Sequence, residues 1–344
     1  MVYKWTIADY NIRCKGEFAL KEKILRALRA GEYVSGQALS EQLGVSRMAV
    51  SKAVGALREE GYAIEAAPRR GYRLTGVPDV LSAAEIRAAL GTHPWSERIV
   101  VLPEVDSTNN YAKKLAQSGA PDGTIVIAEQ QTGGRGRMGR SFSSPPGLGV
   151  YLTVLLRPGV RADALGDLTV RVATAMCDAV ERAAGVRPGI KWTNDLILGG
   201  RKLSGILTEL SVEAESGMAE FVVAGIGVNV GQMPDDFPPE VRPVATSLRE
   251  QTGKTVPRAR LAAEMIRALA RMAGRADADW LEKYRADCVT IGRQVRVIRT
   301  GAERTAHADG VDETGALLVT WDDDGSHERI FSGEVSVRGL LGYV

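Results

Sequence analysis

The sequence has few of the residues that hold small secreted or metal-dependent proteins together. Its 344 residues include three cysteines, Cys14, Cys177 and Cys288, which are widely spaced and odd in number. They predict neither a disulfide framework nor a zinc site, so a reducing, cytoplasmic location is the default expectation. The three histidines neither cluster with cysteines nor form an HExxH motif, and the sequence therefore predicts no structural metal.

Long hydrophobic runs and a strong charge of either sign are also missing. No run of about 18 apolar residues could span a membrane, and the first residues lack the pattern of a secretory leader. The formal net charge of +2 excludes the overall basicity of a histone-like protein but leaves room for a local basic patch. We expect a globular protein of two or three domains with no membrane contact.

Residues 17–76 predict three helices followed by a small hairpin. Leu20, Ile24 and Leu28 recur at four-residue spacing on one helical face. Ser35 and Ser46 are candidate N-caps for the second and third helices, because a serine hydroxyl can accept a bond from a free N–H of the first turn. The residues before them, 1–16, fit no pattern.

This layout is typical of a winged helix-turn-helix. The third helix would present Arg47, Ser51 and Lys52 to the DNA major groove, and the hairpin tip would bring Arg69 and Arg70 to phosphates. The alternative is a small helical interaction domain with solvated arginines. Helix-turn-helix spacing and a basic wing occur together, which favours DNA binding.

A linker near residues 76–79 separates this region from a longer one, 80–288, in which helical patterns alternate with apolar runs. Four runs predict strands of an α+β domain on a mixed sheet: Ile99–Leu102, Thr124–Ala128, Val150–Leu156 and Phe221–Val230.

Residues 290–344 change in character to short strands and turns. We predict strands at Val295–Ile298, Leu317–Trp321, Arg329–Phe331 and Val335–Val337, which together predict a small SH3-like β-barrel. The whole chain is thus predicted to be a multidomain α+β protein with domains at 17–76, 80–288 and 290–344.

The most informative stretch alternates arginine with glycine: Gly133-Gly134-Arg135-Gly136-Arg137-Met138-Gly139-Arg140. Arginine offers a permanently charged planar fork that matches phosphate or carboxylate. Glycine lets backbone N–H groups approach the same anion without a Cβ between them. The stretch therefore predicts a loop that binds a small molecule bearing phosphate.

A dinucleotide-binding loop is the competing interpretation, because Gly134, Gly136 and Gly139 satisfy GxGxxG. Such a loop must open directly into a helix whose N-terminus meets the pyrophosphate. Here Pro145 and Pro146 follow closely, and they cannot continue that helix. The flanking residues exclude a Rossmann fingerprint.

Two further clusters carry chemistry. Gly199-Gly200 predicts a hairpin turn between two strands, which would bring Asp195 and Lys202 near each other across the ladder. Asp106-Ser107-Thr108-Asn109 opens a predicted helix, so polar side chains lie at an N-terminus, where an anion is favoured.

Together these residues resemble the biotin–protein ligase family, in that family's order and spacing. The matching segments are Asp106–Asn109, Gln131–Arg140, Lys191–Leu196, Arg201–Leu207 and Gly225–Asn229. With a helix-turn-helix ahead and a small barrel behind, the chain resembles the family's bifunctional members, which are both ligase and biotin operon repressor.

The resemblance implies a two-step reaction. Biotin and ATP, with Mg²⁺ on the nucleotide, would form biotinyl-5′-adenylate, and the biotinyl group would then pass to a lysine of the biotin carboxyl carrier protein of acetyl-CoA carboxylase or a related carboxylase. The adenylate would also be the co-repressor, promoting a homodimer that binds operator DNA.

It also implies roles for individual residues. The implied catalytic residues are Lys202, Arg137 and Asp195. The implied biotin site comprises Ser107, Thr108, Asn109, Gln131, Arg135, Gly136, Arg137, Lys202, Gly205 and Gly225, with the two last glycines letting the ligand lie flat against the sheet. The implied nucleotide site comprises Arg135, Arg137, Arg140, Phe142, Asn194 and Asn229, with Phe142 at the position of an adenine-stacking aromatic residue.

Two alternatives remain open at this point. A related ligase could transfer lipoate or another acid through an acyl-adenylate, although the Arg135–Arg140 pattern and the winged helix favour biotin. A pure ligand-sensing transcription factor is the other, and the pairing of Asp195 with Lys202 argues against it.

Overall fold

The computed structural model describes residues 20–299 and 302–331, and the backbone alone for 336–339. Residues 1–16 with Cys14, the predicted domain start at 17, Val335 and the chain end after 339 lie outside the described residues. The chain divides into two compact units, Met1–Val80 and Leu81–Val344. The finer boundaries 17–76, 80–288 and 290–344 stay predictions.

In its described part, residues 20–80, the first unit contains three helices and a hairpin. Its elements are α1 (residues 20–28), α2 (Gly36–Leu43), α3 (Arg47–Glu59), β1 (Ala63–Ala67) and β2 (Gly71–Gly76). The predicted N-caps are confirmed, since the hydroxyl oxygens of Ser35 and Ser46 accept bonds from the N–H groups of Ala38 and Ala49 at 3.0 and 3.1 Å. Between the two helices Gly44 adopts φ +64°, the left-handed conformation that closes the turn.

The apolar faces of these helices form one core. Ile24, Leu28, Leu39, Val50 and Leu57 are all fully buried together. The opposite face of α3 is left to solvent, which is the face that carries the predicted DNA contacts.

The second unit is built on a mixed sheet of seven strands. They are β3 (Ile99–Val105), β4 (Thr124–Gln131), β5 (Gly149–Leu156), β6 (Gly189–Lys191), β7 (Asp195–Leu198), β8 (Arg201–Val212) and β9 (Ala219–Asn229), in the order β3-β4-β5-β9-β8-β7-β6. Only β3 and β4 pair in parallel. The four strands predicted from apolar runs are therefore confirmed, each within one to three residues.

Helices cover both faces of this sheet. They are α4 (Ala83–Leu90), α5 (Thr108–Gln117), α6 (Leu168–Ala184), α7 (Leu248–Thr252), α8 (Arg258–Ala273) and α9 (Trp280–Asp287). Alternate residues of each strand point to opposite faces. Accordingly Ile127 and Leu152 pack in the cluster of α6 and α8, whereas Val126 and Leu155 pack against α5. Within the described residues, no helix is long and apolar enough to cross a membrane.

The last strands form a separate antiparallel sheet in the order β13-β12-β11-β10-β14. They are β10 (Gln294–Arg299), β11 (Ala302–Val311), β12 (Leu317–Trp321), β13 (His327–Ile330) and β14 (Ser336–Gly339). The sequence prediction missed β11. Its inward positions include the small residues Ala306 and Ala308, which are fully buried yet give no apolar run.

Candidate active site

One cavity of about 880 Å³ gathers the predicted ligand-binding residues. Its walls come from the start of α5, the Arg-Gly loop and the sheet strands β7, β8 and β9. All of the predicted biotin, nucleotide and catalytic positions line it: Ser107, Thr108, Asn109, Gln131, Arg135, Gly136, Arg137, Arg140, Phe142, Asn194, Asp195, Lys202, Gly205, Gly225 and Asn229. The volume suits a ligand of several hundred daltons.

Lys202 and Asp195 form an ion pair on the wall of this cavity, with Nζ and Oδ1 2.7 Å apart. The predicted hairpin turn is confirmed, because Gly199 and Gly200 adopt φ +56° and +74°, which a two-residue turn of this kind requires. A bulge follows: Leu196 opposes Ser204 while Ile197 opposes Lys202, so Leu203 is the extra residue.

The backbone of Lys202 is fixed from the other side. Its N–H donates to the carbonyl of Val244 at 2.7 Å, and its carbonyl accepts from the N–H of Thr246 at 2.8 Å. Asn229 supports the same segment, because its side-chain N–H donates to the carbonyl of Thr246 at 2.9 Å. Asn229 is buried and bonded within the protein, so it acts on the cavity through the segment that holds Lys202.

The Arg-Gly loop folds back on itself. After one short turn at Arg137–Gly139 the chain is extended, and Arg135 pairs with Ser141 as an isolated bridge. The Phe142 N–H donates to the Gly134 carbonyl at 2.9 Å. No helix opens here, which agrees with the exclusion of a Rossmann loop.

Arg137 reaches across the cavity to Asn194, the residue that precedes strand β7. Its guanidinium donates to Asn194 Oδ1 at 3.1 Å, and Asn194 in turn donates to the carbonyl of Ile206 at 2.9 Å. Burial lowers the pKa of Arg137, an effect that Asp195 opposes and Arg140 reinforces. An arginine remains charged in such a position, so the cavity holds a partly desolvated cation.

Arg135 lies nearer the α5 side of the cavity. Its guanidinium donates to Asn110 Oδ1 at 3.3 Å and lies 4.0 Å from a carboxylate oxygen of Glu209. Glu209 also pairs with Lys113 at 2.8 Å. Two cations thus share one carboxylate, which leaves one positive charge in excess, and about half of the Arg135 side chain is exposed.

The start of α5 is held by a buried polar network. Gln131 Oε1 accepts from the backbone N–H and the hydroxyl of Thr108 at 2.9 and 3.0 Å, while its amide donates to Ser144 Oγ at 2.9 Å. Thr153 Oγ1 lies 2.8 Å from Thr108 Oγ1 and 2.7 Å from Asn109 Oδ1. The network fixes which polar groups face the cavity.

Gly225 has a close neighbour within the protein. A Cβ built on Gly225 would lie 2.1 Å from Asn109 Oδ1, so this glycine makes room for the Asn109 side chain, and its role toward a flat ligand stays a prediction. Asn109 is itself bonded to Glu209 at 2.8 Å and to the Leu207 carbonyl at 3.1 Å. Both residues line the cavity, but the Asn109 side chain is bonded within the protein and fills the space next to Gly225.

Gly205 also makes room for neighbouring side chains. A Cβ there would lie 3.2 Å from Lys202 Nζ and 3.5 Å from the ring of Phe142. Gly227, which belongs to the matching segment Gly225–Asn229 but was given no role, lies under the same ring, since a Cβ there would be 2.4 Å from Phe142 Cε1. The glycines of β8 and β9 therefore allow Phe142 to lie against the sheet.

Phe142 is also supported from its edge. Its ring meets Tyr151 in a T-shaped contact with centroids 6.5 Å apart, and the Tyr151 hydroxyl donates to the Pro145 carbonyl at 2.9 Å. Burial raises the pKa of Tyr151, so it remains a neutral donor. The result is a fixed aromatic platform beside the Arg-Gly loop.

Sequence reasoning missed Thr153 and Glu209. Besides Tyr151, Thr153 is the one residue with a hydroxyl in strand β5, whose residues are all buried, and a buried hydroxyl needs a partner. That signal was available in the sequence. Glu209 had none, because its partners Asn109 and Lys113 lie about 100 positions earlier along the chain.

The predicted DNA contacts lie on the first unit. Arg47, Ser51 and Lys52 are exposed on α3. On the wing, Arg69 adopts φ +64°, and the Arg70 guanidinium lies 4.1 Å from the centre of the Tyr33 ring. Helix face and wing tip both carry positive charge that is exposed to solvent, as an anionic duplex requires.

Comparison with family models agrees with this organisation. Residues 101–229 match the biotin/lipoate A/B protein ligase family, residues 21–73 match an HTH domain, and residues 290–338 match the biotin protein ligase C terminal domain.

Curated relatives cover nearly the whole chain. The bifunctional ligase/repressor BirA of Bacillus subtilis is 35% identical over 314 residues, which cover 89% of this chain and 94% of the relative. That of Escherichia coli K12 is 33% identical and covers 92% of this chain and 96% of the relative. Among solved structures, the Aquifex aeolicus biotin protein ligase in complex with biotin and ATP is 28% identical, with a TM-score of 0.60, over 70% of this chain and 98% of that chain.

Proposed function

Since this chain belongs to the biotin protein ligase family and covers nearly the full length of its bifunctional ligase/repressors, we propose that its central cavity is where biotinyl-5′-adenylate forms. The chain is a biotin protein ligase that binds biotin and ATP, and its helix-turn-helix unit binds DNA as a repressor. The observation that carries the site assignment is the Lys202–Asp195 ion pair facing the Arg-Gly loop across one cavity.

In the first step, a carboxylate oxygen of biotin attacks the α-phosphorus of ATP, a P–O bond forms, and pyrophosphate leaves. Negative charge increases on the phosphate oxygens as this happens. Arg137 and Lys202 supply fixed positive charge at that place, and Asp195 holds the lysine ammonium in position. Positioning and charge stabilisation are the main contributions that this reaction needs from a protein.

In the second step, the amine of a carrier lysine attacks the acyl carbon of the adenylate, an amide bond forms, and AMP leaves. We assign this lysine to the biotin carboxyl carrier protein of acetyl-CoA carboxylase or a related carboxylase. Phe142, set against Gly227 and Tyr151, provides a surface on which the adenine can stack while the acyl group is transferred.

Biotin would lie at the α5 end of the cavity. Ser107, Thr108 and Gln131 offer hydroxyl and amide groups there, and all three line the cavity. Arg135 lies beside them, and its half-exposed guanidinium can bind the biotin carboxylate in addition to its contacts with Asn110 and Glu209.

Mg²⁺ would enter with ATP. Mg²⁺ usually keeps water ligands and binds substrate phosphates together with one or two carboxylates. Asp195 is one carboxylate of the cavity that could contribute, and the ion would supply charge neutralisation on the phosphates.

Adenylate as co-repressor completes the proposal. Its phosphate would order the Arg-Gly loop, favour a homodimer and so present two recognition helices to paired half-sites. Sedimentation at rising adenylate concentration tests this. A protein that stays monomeric with unchanged DNA affinity would overturn the coupling. A cytoplasmic location stays a prediction.

Labelled pyrophosphate exchange into ATP tests the activity itself. We expect exchange with biotin and none with lipoate. Exchange with lipoate alone would replace the biotin assignment with a lipoate ligase. Tight biotin binding with no exchange would make the chain a ligand sensor.

A further inference from the structure

Met48 is the most exposed large hydrophobic residue among those described, with 81% of its surface open to solvent. It is the second residue of α3, and it takes no part in the hydrophobic core of its unit. A methionine side chain exposed to this degree does not stabilise the folded unit, because it buries little apolar surface. Its position at the start of the recognition helix, however, is where base-edge contacts are made.

Gly55, further along the same helix, is equally unexplained by the fold. A Cβ built there would meet nothing within 4 Å, so no packing contact inside the unit requires a glycine. Glycine in a helix interior is less favourable than alanine. The open space at Gly55 leaves room for another molecule to approach the helix backbone closely.

The two residues lie on one face. Positions 48, 51, 52 and 55 follow the spacing i, i+3, i+4 and i+7, which lines them up along one side of a helix. Ser51 and Lys52 between them are exposed, as is Arg47 beside Met48. This face of α3 thus carries cations that can bind phosphates, one exposed apolar side chain at Met48, and a glycine at position 55.

We propose that Met48 contacts the C5-methyl group of a thymine in the operator, and that Gly55 allows the groove wall to approach α3 closely. Thymine is the base that presents a methyl group in the major groove, where an apolar side chain can recognise it. The inference rests on DNA binding by α3 and adds a specificity-determining residue to it.

Uracil scanning tests the contact directly. The full chain, with biotin and ATP present, is first used to select binding duplexes from a random library. Each thymine of the selected site is then replaced by uracil, which removes the methyl group and leaves base pairing intact. We expect one position in each half-site at which uracil weakens wild-type binding about fourfold, the effect of losing one buried methyl.

Met48→Ala is the matched variant. It should bind the thymine site about as weakly as wild type binds the uracil site, and uracil at that position should have no further effect. Gly55→Ala should weaken DNA binding while its melting temperature stays equal or rises. Biotin ligation, measured in parallel, should be unchanged in both variants.

Three outcomes would overturn the inference. The first is that uracil at each position weakens the binding of Met48→Ala as much as that of wild type. The second is that no uracil substitution weakens wild-type binding. The third is that wild type enriches no sequence from the library, which would overturn DNA recognition by α3 and the thymine contact together.

Discussion

The side chain of Asn109 occupies the space beside Gly225, so that a Cβ on Gly225 would lie 2.1 Å from Asn109 Oδ1. This contact joins the first turn of α5 to strand β9 in the middle of the sheet. Because Asn109 also bonds to Glu209 and the Leu207 carbonyl, it cannot move aside without breaking those bonds.

Gly225→Ala should therefore impair both folding and biotin binding. We expect the free energy of unfolding to fall by about 1–3 kcal/mol, as for other overpacked sites. We also expect biotin to bind at least about tenfold more weakly, which corresponds to a loss of about 1.4 kcal/mol in binding free energy. Chemical denaturation and calorimetric titration measure the two effects. Gly310→Ala is the control, because its Cβ would meet only Leu318 at 3.9 Å. If Gly225→Ala and Gly310→Ala lost the same unfolding free energy and the same biotin affinity, close packing between Gly225 and Asn109 would not be important.

Thr153→Val should weaken biotin binding although Thr153 itself does not line the cavity. The change removes a fully buried hydroxyl that lies within bonding distance of Thr108 and Asn109. Leaving buried polar partners without a bond costs about 1–3 kcal/mol. Thr153→Ser keeps the hydroxyl and should restore biotin affinity in titration. A valine variant with wild-type affinity would show that the network is dispensable.

Asp195→Asn should slow adenylate formation by roughly 10- to 100-fold, because Lys202 loses the charge that positions its ammonium group. Single-turnover formation of biotinyl-adenylate measures this step. Asp163→Asn is matched in chemistry but removes an exposed pair with Arg161 outside the cavity. If the two asparagine variants react at the same rate, Asp195 does not position Lys202.

Glu209 should contribute a pH-dependent part of stability. Burial on its own raises the pKa of its carboxyl, but bonds from Lys113 and Asn109 outweigh burial and hold the pKa below its usual 4.5. A depressed pKa in the folded state gives stability that is present above pH 4.5 and lost as pH falls through the folded value. Unfolding free energies should thus decline less below pH 4.5 in Glu209→Gln than in wild type. The exposed Glu215→Gln variant should show the same pH dependence of unfolding free energy as wild type. If Glu209→Gln also showed the wild-type pH dependence, Glu209 would not be the source of this stability.

The resemblance of the sequence motifs to the ligase family predicted residues that the structure brings together in one cavity. The Arg-Gly loop, the Gly199-Gly200 turn and the polar start of α5 each have a local signature, and each folds as that signature predicts. Serine N-caps and apolar periodicity likewise predicted α2 and α3.

What the sequence could not provide is the reason for individual residues. The pairing of Thr153 with Asn109 spans 44 positions, and that of Asn109 with Glu209 spans 100. Such partners are brought together only by the sheet order. Strand β11 was missed for a related reason, because small buried alanines alternate there with charged residues and resemble a loop.

The most direct test of the central claim locates pyrophosphate exchange in this cavity. Biotin-dependent exchange of labelled pyrophosphate into ATP is measured for wild type, Lys202→Ala, Arg137→Ala and Lys254→Ala, the last being an exposed lysine outside the cavity. We predict a fall of about 10²- to 10³-fold in the first two variants, as for loss of one charge-stabilising donor, and wild-type exchange in Lys254→Ala. Wild-type exchange in Lys202→Ala and Arg137→Ala would place the chemistry elsewhere and contradict the account.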